Sequence, residues 1–257
     1  MRVDWRPVLR IVLPAALLAA LIGAWQIAAS TGWLAEVLNL EPIFVPSPAE
    51  VADALWDSRS VLLENTWVTL REILIGIVAG VLFGLALAIA MRASRLLRDA
   101  VFPLTVGLQA VPVVVLAPIL VIWFGYGIWP KVIIVALACF FPIVVATLEG
   151  LRATDPEAVK MMRTLDASRW AIFLRVEAPT ALPFIFSGAR VAVAVAPIVA
   201  LFAELAGANA GLMLLITQAN NSFREDLVFA AAAVLALIGV LLVGLTALAQ
   251  RLVVTWR

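Results

Sequence analysis

Charge disappears from this chain in six long intervals: residues 11–35, 73–91, 100–130, 132–148, 178–203 (broken only by Arg190) and 227–250. A helix crosses a bilayer with about 17–25 mostly apolar residues at about 1.5 Å rise each. The pattern therefore predicts spans over about 9–30, 66–91, 100–124, 131–150, 179–205 and 226–250. The expected fold is an all-α membrane protein with six transmembrane helices, forming a single transmembrane domain over 1–257. The third span carries Pro103, Pro112 and Pro118. It is expected to be kinked and broken near Pro112, packed where the freed carbonyls find partners. In the second span Gly76, Gly80 and Gly84 recur every four residues. That spacing lets helices approach closely, within the chain or against a second copy.

The polar intervals have patterns of their own. "FVPSPAEVADALWDSRSVLLEN", after the first span, reads as a turn at Pro46-Ser47-Pro48 that enters a short helix kept wet by Asp53, Asp57 and Glu64. "FGYGIWPK" reads as a tight turn, with Trp129 and Lys131 as interfacial anchors. The longest is "DPEAVKMMRTLDASRWAIFLRVEAPTALP". Asp155 is placed to cap a helix with Pro156 at its first position. Val159, Met162 and Leu165 make an apolar edge, and Lys160 and Arg163 lie on another. Asp166 interrupts, suiting a left-handed turn and a cap for a helix starting at Ala167. A second helical piece runs to Glu177 with Trp170, Phe173 and Leu174, and Pro179 and Pro183 end it at the membrane. Such a helix pair suits a groove on a soluble protein or the surface of the inner leaflet.

Composition agrees with a bundle in lipid: 257 residues, 65% hydrophobic and 14% charged, against about a quarter charged in soluble domains. Lys and Arg number 18 and Asp and Glu 17, so net charge points to no nucleic acid, but the placement of the basic residues sets orientation. One side holds Arg2, Arg6, Arg10, Arg92, Arg95, Arg98, Arg152, Lys160, Arg163, Arg169, Arg175, Arg251 and Arg257. The other holds Arg59, Lys131 and Arg224. The excess puts both termini and residues 151–178 in the cytoplasm, and 36–62 outside. The basic start followed by a long apolar run reads as an uncleaved first span.

With one cysteine, Cys139, and no histidine, disulfides, thiolate metal clusters and imidazole chemistry are excluded. No Gly-x-x-x-x-Gly-Lys-Ser/Thr loop, His-Glu-x-x-His or Gly-x-Ser-x-Gly occurs. The chain is expected to be no enzyme, with no catalytic residue, metal or cofactor. Among span residues only Arg190 and Glu204 stand out as ionisable, fewer than an ion-driven carrier usually keeps. The remaining classes are a transporter driven by a separate soluble partner, or a membrane scaffold or channel subunit.

Residues 155–183 resemble the cytoplasmic loop of permease subunits from binding-protein-dependent ABC importers. Arg163-Thr164-Leu165-Asp166-Ala167-Ser168-Arg169-Trp170 matches the family's "RTLGASRW" form, and Pro179 falls where its final Pro belongs. Lys160-Met161-Met162 stand where Glu-Ala-Ala is usual, Asp166 replaces Gly and Ala178 replaces Leu. "FVPSP", "NTWVTLREILIGIVAGVLFG", "VPVVVLAPILVIWFGYG", "FFPIVVATLEGLRATDPE" and "SGARVAVAVA" are similar to the nitrate, sulfonate and taurine branch. "KMMRTLDASRW" and "AGANAGLMLLITQANNSF" are most like members for thiamine pyrimidine precursors or riboflavin.

The resemblance implies a type I importer permease in the cell (inner) membrane, working as a dimer, most simply of two copies. Two cytoplasmic ATPase subunits would hold ATP and Mg, and a substrate-binding protein would dock outside. It implies ATPase coupling through Arg163, Leu165, Asp166, Ala167, Ser168, Arg169, Trp170 and Pro179. Gln109, Phe141, Arg190, Glu204, Asn220 and Asn221 are the candidates for the translocation path. Arg190 reads first as a structural salt bridge or carbonyl clamp, and Glu204 as an interfacial carboxylate in water.

Overall fold

The computed structural model describes residues 6–109, 111–112 and 115–256, and of these all side chains except those of residues 6–11 and 109. Arg2 and Arg257, and the side chains of Arg6, Arg10 and Gln109, lie outside the described residues. Every regular element among them is helical. Contacts divide the chain into two compact units. One holds the chain up to Glu64 with Leu215–Val234, the other Asn65–Leu214 with the chain from Leu235 on.

The first unit contains α1 (Arg6–Ser30), the short α2 (Trp33–Leu38) and α3 (Pro48–Asp57). The turn at Pro46-Ser47-Pro48 is where the sequence places it. The Ser47 hydroxyl accepts from the Glu50 N–H at 3.4 Å, while Glu50 accepts from the Ser47 N–H at 2.7 Å. Pro48, at the first helical position, has no N–H to satisfy. The next N–H, of Ala49, donates 3.0 Å to the Gln26 side chain on α1. Two of the donors that open α3 are thus satisfied.

The second unit is built on three long helices: α4 (Arg59–Ala93, mostly in this unit), α7 (Trp129–Arg152) and α10 (Ala178–Leu205). The Gly76, Gly80 and Gly84 stripe lies against α7 of the same chain. A Cβ at Gly80 would stand 2.7 Å from the Ala136 carbonyl oxygen and 2.8 Å from the Cys139 Cβ. Any larger residue would push the helices apart, so the in-chain alternative for the stripe is the one observed. Ala88, Met91, Phe140, Val144 and Leu148 form a core cluster between α4 and α7.

Five helical runs are long and apolar enough to cross a membrane: Val12–Ser30, Arg59–Ala93, Trp129–Arg152, Arg169–Leu205 and Glu225–Val253. The last is α12 (Glu225–Val253), preceded by α11 (Leu212–Asn221). The third expected span is not among them. It divides into α5 (Arg95–Gln109) and α6 (Leu116–Phe124), with Pro112 in the gap, where the sequence places the break. The Pro112 carbonyl, freed from any helix, accepts from Val115 N–H at 2.8 Å.

The charged segment holds a correction. α8 (Pro156–Thr164) and α9 (Arg169–Ile172) form as two pieces, but Pro179 and Pro183 do not end the second. The chain passes from α9 through a π-helical turn, Phe173–Glu177, directly into α10. A proline ring clashes with the carbonyl four residues back. The wider turn places the Ala178 N–H on the Phe173 carbonyl, five residues back, and relaxes the backbone just before Pro179.

Candidate functional site

α8 starts where Asp155 accepts from the Glu157 N–H at 2.8 Å. It stops in a Schellman turn: Asp166 N–H donates to Arg163 O and Ala167 N–H to Met162 O, both at 3.1 Å. This motif needs a left-handed residue, and Asp166 has φ 55°. Asp is one of the few non-glycine residues that visits this region, so the family's glycine turn survives its replacement. The expected cap is different. Ser168, not Asp166, precedes the second piece, its hydroxyl accepting from the Ala171 N–H at 3.2 Å. Asp166 is committed to left-handed φ, which is not the extended geometry of an N-cap.

The coupling candidates divide by exposure. Leu165 and Trp170 are 69% and 64% exposed, as is Met161 at 61%; Arg163, Asp166, Ser168 and Arg169 are exposed with them. Ala167 and Pro179 are half-buried, and Trp170 is braced by stacking on Phe173, ring centroids 5.4 Å apart. The segment is pinned at its end. Arg92, at the end of α4, donates to Glu177 at 2.5 Å, with Glu177 8% exposed and Arg92 47%. The result is two short helices on a fixed base, presenting large apolar side chains among arginines.

The described path candidates sit in different local surroundings. Phe141 is half-buried and packs on the α4–α7 core cluster. Arg190 is exposed and donates to the side-chain carbonyl oxygen of Gln250 on α12, the carbonyl alternative of the structural reading and not a salt bridge. Asn220 and Asn221 are exposed at the end of α11. Glu204 lies on the helix of Arg190, about 21 Å further along at 1.5 Å per residue.

Glu204 overturns its expectation. It is 2% exposed, accepting from the Thr69 hydroxyl at 2.5 Å and the Met213 N–H at 2.8 Å. Thr69 accepts in turn from the Leu212 N–H at 2.9 Å, and Asn65 from the Gly211 N–H at 2.8 Å. Gly211 has φ 132°, and a Cβ there would stand 2.5 Å from the Glu204 carboxylate; only glycine lets the backbone come this close.

Glu72 and Lys131 share this end of the helices, 2% and 3% exposed overall. The Lys131 ammonium donates to the Gly127 and Tyr126 carbonyls at 3.0 and 3.3 Å and lies 4.0 Å from Glu72. Lys131 is thus no surface anchor: the turn before α7 folds its carbonyls over the ammonium. Thr69 and Glu72, three residues apart on one helix face, were the signal in the sequence.

The geometry is that of a helix bundle with several runs apolar enough to cross a membrane and an exposed helical loop at one end. The comparisons are specific. Residues 76–255 match the family described as the binding-protein-dependent transport system inner membrane component, and the chain belongs to this family. It is 35% identical to a formylaminopyrimidine transport permease of Halalkalibacterium halodurans, over 84% of this chain and 87% of that one. To a riboflavin transport system permease of Chloroflexus aurantiacus it is 37% identical, over 88% and 85%. A taurine transport permease of Escherichia coli is 32% identical over 98% and 93%. The crystal structure of an amino acid ABC transporter with histidines shares the fold, with TM-score 0.63, 17% identity and coverage of 77% of this chain and 96% of that one.

The chain is therefore a multi-pass ABC importer permease of the branch that includes taurine and sulfonate permeases. The family is a transport component and not itself an enzyme.

Proposed function

We propose that this chain is the permease subunit of an ATP-driven importer and forms the path for a small organic solute handed over by an external binding protein. A thiamine pyrimidine precursor or riboflavin is the favoured solute, supported by the 35% and 37% identity to permeases named for formylaminopyrimidine and for riboflavin; a sulfonate, taurine or nitrate comes second. In this reading α5 and α6 together supply the sixth crossing of a single transmembrane domain. Both termini are cytoplasmic, and two copies pair over two ATPase subunits that carry ATP and Mg. Residues 151–178 dock on those ATPases. The loop transmits work only by binding their two nucleotide states unequally, since equal affinity shifts nothing.

The observation that carries this reading is the exposure of Leu165 and Trp170 on a base tied to α4 through Arg92–Glu177. The test is capture of the co-expressed ATPase by tagged chain. Leu165→Asp with Trp170→Asp should reduce capture at least tenfold, since each removes a large apolar anchor of the kind that dominates interfaces. Membrane level of the chain should not change. Undiminished capture by the double variant, properly inserted, rules out this loop as the docking element.

A further inference from the structure

At the cytoplasmic end of the second unit, α4, α5, α7 and α8 surround a cavity of about 420 Å³ whose wall carries Arg92, Arg95, Arg98, Arg152, Lys160 and Arg163. Its one carboxylate, Glu177, is taken by Arg92, and Arg98 leans on Asp99 at 3.2 Å. Arg95, Arg152, Lys160 and Arg163 have no carboxylate within 4.0 Å among the described residues. The same wall includes Thr154, whose hydroxyl oxygen is shut off from solvent without a hydrogen-bond partner. Concentrated positive charge without counter-charge, in a concave site beside an unspent hydroxyl, calls for an anion rich in acceptor oxygens.

A second concavity of about 440 Å³ shares Arg98 and Arg152 with the first, includes the Asp99 carboxylate that Arg98 holds, and continues along Phe102 and Pro103 of α5. Leu96 and Leu104 on the same helix are 82% and 66% exposed. A free anion would use the first cavity only. A molecule with an anionic head and an apolar tail uses both, and in a bilayer that molecule is a phospholipid.

We propose that this double cavity binds an anionic phospholipid of the inner leaflet. Its phosphate sits against Arg95, Arg152 and Lys160, and an acyl chain lies along Phe102 and Pro103. The site goes beyond the importer reading and takes from it only the cytoplasmic orientation. Because Lys160 and Arg163 ride on α8 while Arg95 and Arg152 sit on α5 and α7, a bound head group ties the coupling segment to the bundle. Lipid composition then sets how firmly the segment is held.

The test uses the full chain in phosphatidylcholine nanodiscs with added phosphatidylglycerol, and native mass spectrometry of the lipid retained on release. Wild type should retain phosphatidylglycerol in preference to phosphatidylcholine. Arg95→Gln with Arg152→Gln should weaken retention about thirtyfold, and Lys160→Gln alone, on an exposed helix, about fivefold. Arg95→Lys with Arg152→Lys should retain the lipid, which separates lost charge from lost fold. Equal retention of both lipids, or an unchanged Gln variant, overturns the proposal. So does inorganic phosphate that binds the wild type as well as the lipid does, which would make this a free-anion site. Loss of ATPase capture by the Gln variant with lipid retention unchanged overturns it too, as the patch would then be a protein contact.

Discussion

The two ends of α4, α7 and α10 handle charge in opposite ways. At one end Thr69, Glu72, Lys131 and Glu204 are buried among helices, none more than 3% exposed; backbone carbonyls hold Lys131 and a backbone N–H holds Glu204, while one Glu72 carboxylate oxygen has no hydrogen-bond partner among the described residues. At the other, Arg92 pairs with Glu177 and Arg98 with Asp99, each arginine partly in solvent, beside Arg95, Arg152, Lys160 and Arg163, which have no carboxylate within 4.0 Å among the described residues. The first arrangement fixes the bundle. The second leaves charge and apolar surface available to whatever docks. Rigid polar networks at one end and unspent groups at the other suit a part that must transmit force from outside itself.

The sharpest way to break this comparison is to remove one charge at each end. Lys131→Met leaves Glu72 buried without its cation and two carbonyls without their donor. It should destabilise the chain by about 3–5 kcal/mol, as loss of one partner from a buried pair does. Arg92→Met also strands a buried carboxylate, Glu177 at 8% exposed, but the partner removed is 47% in solvent and other cations stand nearby, so its effect should be smaller, about 1–3 kcal/mol. Thermal unfolding in detergent measures both. Equal losses would show that the two ends do not differ in the way burial says.

The sequence made the apolar runs, the Pro112 break, the Ser47 turn and the left-handed Asp166 legible, because each follows from local chemistry: hydropathy, a missing N–H, a short polar side chain. It hid the buried cluster. Glu72, Lys131 and Glu204 each stand at the edge of an apolar run, where water is the default partner. Only tertiary packing decides that the Tyr126 and Gly127 carbonyls reach Lys131 first. It also misread Pro179, since a π-turn can carry a helix past a proline and no residue pattern here announces one. The same limit applies to the path candidates: polarity in a span marks a residue, but which face it occupies depends on neighbours.

Asp166 tests the open end at its hinge. Asp166→Gly should keep transport, since glycine takes φ 55° without cost. Asp166→Val places a β-branched residue at positive φ, a strain of at least about 1–2 kcal/mol. It should uncouple transport while membrane level holds, because no span depends on this turn. Solute uptake beside an immunoblot of the membrane fraction reads both. Normal uptake by the Val variant, with its ATPase bound, would move the coupling function away from this turn.

The smallest expected effect lies at Ser168, and it separates order from contact. Its hydroxyl caps α9, a helix of only four residues. Ser168→Ala leaves the Ala171 N–H without its acceptor and costs about 1 kcal/mol. As the first turn of the continuous helical run Arg169–Leu205, this segment frays more readily than the interior once its cap is lost. It should therefore open locally more often, with amide exchange over 169–172 rising about fivefold. The exposed Leu165 and Trp170 surfaces remain, so the ATPase should still dock, but the ordering cost is then met on binding and affinity falls by a similar factor. Ser168→Thr keeps an oxygen at the capping position and should restore both quantities. The closed end should not respond, with protection around Lys131 and Glu204 unchanged in all three proteins. If Ser168→Ala weakens ATPase binding while exchange at 169–172 stays at the wild-type rate, the hydroxyl acts as a direct contact and the segment needs no cap to be presented.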